Sequence, residues 1–219
     1  MAASPDSTTL RIDGSSRARH TLVLAPGAGA PADSPFLNAV AEGLAGEAVR
    51  VVRFDFPYMG ERLRTGRRRP PDRAPVLLAV WQDVVARLGG GPGLVIGGKS
   101  MGGRMASLVA DGLGVRGLVC LGYPFHPTGR PERLRTAHLE ALATPTLILQ
   151  GTRDPLGTPE EVSTYELSPR IRVRWLEDGD HSWKPRKRSG RTEAQNLAEA
   201  IEAILEFLEA LPEGARTNG

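Results

Sequence analysis

Six short apolar runs, separated by stretches patterned for helices, set the strongest limit on how this 219-residue chain can fold. The runs are Thr21–Ala25, Val49–Phe54, Gly93–Gly97, Arg116–Leu121, Pro145–Gln150 and Ile171–Leu176. Most are apolar without alternation, as strands are when helices cover both faces of a parallel sheet. Helical patterns fall near residues 34–45, 74–88, 101–113, 159–165 and 192–211. In the last of these, Leu197, Ile201, Ile204, Leu205 and Leu208 make one apolar stripe at three-four spacing. Alternation of this kind predicts an α/β fold of about six mostly parallel strands flanked by helices. Residues 8–12 offer a further, weaker strand. The domain is expected over residues 20–211, with mobile ends at 1–19 and 212–219. No internal repeat or long linker divides the chain.

Composition excludes several classes. One cysteine, Cys120, rules out an intramolecular disulfide and a cysteine zinc cluster. It stands in the apolar run Leu118-Val119-Cys120-Leu121 and reads as an inert buried thiol. No apolar run approaches the roughly 18 residues that span a bilayer, and the first twenty residues hold no signal-peptide core, so a cytoplasmic protein without membrane contact is expected. Basic residues exceed acidic ones by only three, too few to imply nucleic-acid binding. The basic residues cluster, however. Arg62, Arg64, Arg67, Arg68, Arg69 and Arg73 lie in the connection 57–75, and Lys184, Arg186, Lys187, Arg188 and Arg191 in the connection 182–191. Both follow strand C-termini, the edge where ligands bind to open parallel sheets. They read either as a positive rim favouring anionic substrates or as a solvated arginine surface.

Two catalytic motifs overlap in the segment GLVIGGKSMGG at 93–103. Gly93 to Ser100 satisfies the phosphate-binding pattern G-x4-G-K-S, and Gly98 to Gly102 satisfies the G-x-S-x-G nucleophile elbow. A phosphate loop needs a strand before its first glycine, yet Gly89-Gly90-Gly91-Pro92 stands there. Its four wrapping residues, Leu94-Val95-Ile96-Gly97, look like the strand itself. The elbow fits on both sides: a strand, a tight turn, then a helix opening with the small residues Gly102, Gly103 and Ala106.

A serine hydroxyl needs a base to take its proton and a carboxylate to orient that base. Asp154 follows the strand 145–150 in Gly151-Thr152-Arg153-Asp154, and His181 follows the strand 171–176 in Asp180-His181-Ser182. Ser100, Asp154 and His181 thus stand in the order Ser, Asp, His, each past a strand on one sheet edge. His126 is the rival base, but it precedes Asp154 and breaks that order. Two backbone donors must face the developing oxyanion. Met101 N–H, at the start of the elbow helix, is one; Ala28, in the open loop Ala25-Pro26-Gly27-Ala28-Gly29-Ala30, is favoured as the other.

Taken together, Pro26-Gly27-Ala28-Gly29, Phe54-Asp55-Phe56-Pro57, Gly97-Gly98-Lys99-Ser100-Met101-Gly102, Tyr123-Pro124-Phe125-His126, Gly151-Thr152-Arg153-Asp154 and Asp180-His181-Ser182 resemble one family. It is the small α/β-hydrolase family related to dienelactone hydrolases, which includes animal testis-expressed and histone-acetyltransferase-complex proteins. The resemblance spans residues 20–211 and implies an α/β-hydrolase fold and a serine nucleophile. Dienelactone hydrolases use a cysteine where this elbow has Ser100. Lipases carry a histidine where the first loop has Pro26. The expectation is a hydrolase without a cap domain, cleaving a small-molecule ester or thioester with no metal or organic cofactor. A non-catalytic binding or scaffold protein on the same fold is the alternative. The acyl group, the leaving group and the oligomeric state are not legible in the sequence.

Overall fold

The computed structural model describes residues 8–46 and 48–212. Seven strands form one sheet: β1 (Leu10–Asp13), β2 (His20–Ala25), β3 (Val49–Phe54), β4 (Leu94–Lys99), β5 (Gly117–Leu121), β6 (Thr146–Gly151) and β7 (Ile171–Leu176). Their order across the sheet is β1-β3-β2-β4-β5-β6-β7. All neighbours are parallel except β1, which pairs antiparallel to β3 with Leu10 opposite Phe54. Six helices connect them: α1 (Pro35–Leu44), α2 (Pro57–Thr65), α3 (Ala74–Arg87), α4 (Met101–Leu113), α5 (Pro159–Val162) and α6 (Glu193–Ala210).

The central strands are buried on both faces, which explains their unbroken apolar runs. One face carries Val23, Val52, Phe54, Ile96 and Ile148 against Trp81 of α3 and Met105 and Ala106 of α4. The opposite face carries Leu22, Leu24, Val51, Val95 and Leu149 against Leu37 and Val40 of α1 and Ile204, Phe207 and Leu208 of α6. The far edge is blunted by charge: Arg172 and Arg174 of β7 point outward, and Arg174 pairs with Glu199 at 2.9 Å. Cys120 is buried in the first core, and burial pushes its thiol well above the ordinary range.

Two expectations need correction. The domain begins before His20, because β1 belongs to the sheet: four residues suffice once Arg53 of β3 anchors Asp13 at 2.8 Å. Of the mobile ends expected at 1–19 and 212–219, residues 1–7 and 213–219 lie outside the described residues. The connection 57–75 is not all loop. Its first half is α2, which Pro57 opens at the first helical turn and Gly66 closes with φ 71°, with Arg62 and Arg64 at the negative end of the helix dipole. The segment 122–145, between β5 and β6, is the longest connection without an α-helix, and no cap stands over the C-terminal edge among the described residues.

The turn from β4 into α4 is closely packed. Gly98 lies at φ 150°, and Ser100 at φ 51° is one of three non-glycine residues with positive φ among those described. A side chain on Gly98 would stand 2.2 Å from the Ala25 carbonyl; one on Gly102 would stand 2.4 Å from the same oxygen and 2.6 Å from that of Pro26. Strand β2 and helix α4 therefore touch backbone to backbone. Gly102→Ala must push them apart, and we expect it to lower stability by about 1–3 kcal/mol. Chemical denaturation checks this: an unchanged midpoint would mean that the contact is slack.

Candidate active site

The elbow determines where Ser100 points. Positive φ lifts its side chain off the end of the sheet, and Ser100 N–H donates to Leu121 O at 3.2 Å, tying the turn to β5. Met101 opens α4, so its N–H is among the first-turn donors without a partner in the helix. The phosphate-loop pattern finds no loop to match: Leu94 to Lys99 is strand.

Asp154 is fully buried past the end of β6, and each of its acceptors is used. Oδ2 accepts His181 Nδ1–H at 2.7 Å and Gln150 Nε2–H at 2.9 Å, while Oδ1 accepts Leu156 N–H at 2.9 Å. Gln150, also fully buried, is held in turn: its Oε1 accepts Tyr123 N–H at 2.7 Å, and its amide donates to Tyr123 O at 3.2 Å. A carboxylate with three donors is held in one rotamer. Its bond to Nδ1 leaves His181 Nε2 as the free acceptor of the ring. His181 is 27% exposed on its side chain and shares a cavity of about 710 Å³ with Ser100. Among the described residues, no hydrogen bond joins the Ser100 hydroxyl to the His181 ring; such bonds are often loose until substrate is bound.

Several contacts hold the histidine loop. Arg153 donates through Nε to Asp178 O at 2.9 Å, and its N–H reaches Gly179 O at 2.8 Å. Arg186 clasps the Asp178 carboxylate, holding it well below the usual carboxylate range. Asn196 of α6, wholly buried, donates to Trp183 O at 2.7 Å. Lys99, the residue before the serine, completes the clamp. Its ammonium donates to the His181 carbonyl and lies 5.4 Å from the centre of the Phe36 ring.

The glycine-rich loop after β2 is held by α2. Tyr58 Oη donates to the Ala28 carbonyl at 3.0 Å, with the Gly27 carbonyl at 3.4 Å, and Arg62 reaches the Gly29 carbonyl at 3.2 Å. Burial pushes the Tyr58 hydroxyl up to about 12, so it stays a donor at neutral pH. In a trans peptide the C=O and the following N–H point in opposite directions. Carbonyls turned toward α2 therefore leave the N–H groups of Ala28 and Gly29 facing away from it. Farther along, Asp55 accepts Ala32 N–H at 2.7 Å, and Arg53 donates to Ala32 O at 3.0 Å. Gly27 lies beside Ser100: a side chain there would come within 3.7 Å of the Ser100 Cβ.

The remaining histidines are engaged elsewhere. His126, the rival base, is buried and donates through Nδ1 to Pro127 O at 3.0 Å, with Glu161 3.5 Å from its Nε2. Some of the loop cations have internal partners: Arg69 with Glu61 and Asp72, Arg186 with Asp178, and Arg191 with Glu199 and Asn196. Among the described residues no group of three or more His, Cys, Asp or Glu side chains stands together as a metal site, and no helix is long and apolar enough to cross a membrane.

An open, mostly parallel sheet with a strained serine at its central elbow and an Asp–His pair on the same edge defines the class. The chain belongs to the alpha/beta hydrolase domain family, whose model matches residues 18–209. Solved structures of the same fold include an alpha-beta serine hydrolase homologue from Coxiella burnetii, 17% identical over 92% of this chain and 90% of that one, with a TM-score of 0.68. A serine hydrolase without a lid from Xanthomonas campestris is 16% identical over 94% and 91%, with a TM-score of 0.66. A dienelactone hydrolase from Anabaena variabilis is 22% identical over 92% of each chain, with a TM-score of 0.66.

Lys99 makes the site sensitive to alkaline pH. Burial lowers its pKa from 10.5 to about 8, partly offset by Asp154 and Asp180. The folded protein therefore gives up this proton before the unfolded chain does, so its stability contribution rises from about pH 8 and levels off near 10.5. Denaturation of wild type and Lys99→Met across that window should show wild type gaining on the variant as pH increases. A constant difference would contradict the buried ammonium.

Proposed function

We propose that this protein is a serine hydrolase that cleaves an ester or thioester through an acyl-enzyme. The observation that carries the reading is the buried Asp154 bonded to His181 at the mouth of the cavity that Ser100 enters from its strained turn. Ser100 Oγ attacks the acyl carbon while His181 Nε2 takes the hydroxyl proton, and Asp154 steadies the imidazolium. The carbonyl oxygen becomes an oxyanion held by the N–H groups of Met101 and Ala28. On collapse the bond to the leaving group breaks, and His181 returns its proton to that alcohol or thiol. Water then repeats the sequence: its proton goes to His181, its oxygen attacks the acyl carbon, and Ser100 leaves with the proton restored. No step calls for a metal or an organic cofactor.

The larger cavity supports an apolar substrate arm, since Phe36, Leu37, Leu156, Trp183 and Leu197 line it. The placement within the group holding animal testis-expressed and histone-acetyltransferase-complex proteins rests on the motifs alone and belongs to the same proposal. The full polar satisfaction of Asp154 favours turnover over a purely binding role, because a scaffold does not require an oriented imidazole.

A fluorophosphonate probe should label wild type and fail to label Ser100→Ala; equal labelling of the two would overturn the assignment. Asp154→Asn should keep the fold yet lower kcat by roughly 10³–10⁴-fold, the scale at which a catalytic imidazole held in the wrong tautomer fails. Steady-state kinetics on a neutral aryl ester reads it, and a loss below tenfold would remove Asp154 from the proposed mechanism.

A further inference from the structure

Ser100 does not belong to one cavity only. A second, smaller hollow of about 470 Å³ also reaches it, and Ser100, Ala28 and Leu156 line both. The two differ in chemistry. The larger hollow is walled mainly by apolar side chains, and its lysine, Lys99, is committed to the His181 carbonyl and the Phe36 ring. The smaller one is lined by Arg104 and Arg135.

These two arginines differ from the other basic residues near the site. Both are half-buried, and among the described residues neither guanidinium has a hydrogen bond or an ion pair. Arg104 Nε is buried with no acceptor at all. Asp72, the carboxylate that lines this hollow, is already taken: Oδ1 accepts Arg69 at 2.6 Å, and Oδ2 accepts Tyr58 N–H at 3.0 Å. Burial and the neighbouring Arg104 charge pull the Arg135 guanidinium below its ordinary value, so each cation feels the other. Two like charges held together, partly dehydrated and without acceptors, are unfavourable unless an anion joins them. A guanidinium fork matches the oxygens of a carboxylate or phosphate.

Their placement suits a substrate. Arg104 stands in the first turn of α4, four residues after Ser100, which immediately precedes the helix. Its N–H donates to Ser100 O at 3.0 Å, so it moves with the elbow. Arg135 comes from the connection between β5 and β6, fixed by its own N–H to Phe125 O at 2.8 Å and by Tyr123 Oη donating to its carbonyl at 3.0 Å. Both anchors are backbone contacts, leaving the side chain free for a ligand.

We infer that Arg104 and Arg135 form a subsite for an anionic group, carboxylate or phosphate, at one end of the substrate, the scissile bond lying over Ser100 and the apolar arm in the larger cavity. This rests on the proposed hydrolase reading and names its substrate class. It also relocates the expected preference for anions, from the two basic loops to a pair of arginines facing the nucleophile.

The test is a specificity ratio. Aryl esters of a neutral acid are compared with those of the same acid ending in a carboxylate and in a phosphate. A second arm compares acetate esters of phenol, of hydroxybenzoate and of hydroxyphenyl phosphate. Wild type should prefer an anionic member in at least one arm, and the arms tell carboxylate from phosphate. Arg104→Gln and Arg135→Gln should each lower the ratio of anionic to neutral kcat/KM by about tenfold or more, as loss of a charge-assisted hydrogen bond does. Lysine at either position should restore part of it. No preference in wild type, or a ratio the glutamine variants leave unchanged, overturns the subsite. Calorimetric titration of Ser100→Ala with the same esters keeps this separate from the nucleophile assignment. Tighter binding of the anionic ester, lost with Arg104→Gln added, supports the subsite even if Ser100 is not acylated; equal binding of both esters rejects it.

Discussion

The backbone contact between β2 and α4 governs the arrangement of the site. Gly98 and Gly102 let the Ala25 and Pro26 carbonyls approach to distances that no side chain tolerates. That closeness bends the chain from strand into helix within one residue and holds Ser100 at positive φ, a cost a serine meets only when its surroundings enforce it. The same contact brings the loop after β2 alongside the serine. The candidate nucleophile and the candidate oxyanion donors are thus positioned by a single packing event.

Around that point the structure relies on polar groups that hold one another. Gln150 fixes Asp154, Asp154 fixes His181, and Lys99 ties the His181 carbonyl back to the residue before the serine. On the other flank, Tyr58 and Arg62 turn loop carbonyls toward α2. Gln150, Asp154 and Tyr58 are buried, and bonds of this kind strengthen one another where water is excluded. Leu156 and Ala28 line both cavities, so the serine borders one hollow that is chiefly apolar and one that carries Arg104 and Arg135.

Much of this was legible in the sequence because the governing constraints are local. Unbroken apolar runs mark strands covered on both faces, and a glycine-flanked serine between strand and helix marks the elbow. Other features depend on contacts between distant segments. Strand β1 is four residues at an edge, and its Leu-Arg-Ile-Asp pattern gains meaning only from Arg53. Helix α2 was hidden by its composition: arginines and the following prolines resemble loop, although Pro57 and Gly66 are serviceable start and stop signals. Gln150 offered a clue, a lone amide at the end of an apolar run four residues before the candidate carboxylate. The approach of Arg104 to Arg135 offered none, because the connection that carries Arg135 is irregular and its path is set by tertiary packing. The loop cations show the same limit: charge runs are visible in a sequence, but the partners some of them find, such as Asp178 and Glu199, are not.

The central claim is that Ser100 carries the acyl group between two half-reactions. Mixing the protein with an activated aryl ester, quenching in acid within the first turnover and mapping peptides by mass spectrometry tests it most directly. The account predicts one acyl increment on the peptide containing Ser100, absent from Ser100→Ala and cleared on further incubation of wild type. An increment on another residue, or turnover with no acylated peptide at any time, would contradict it.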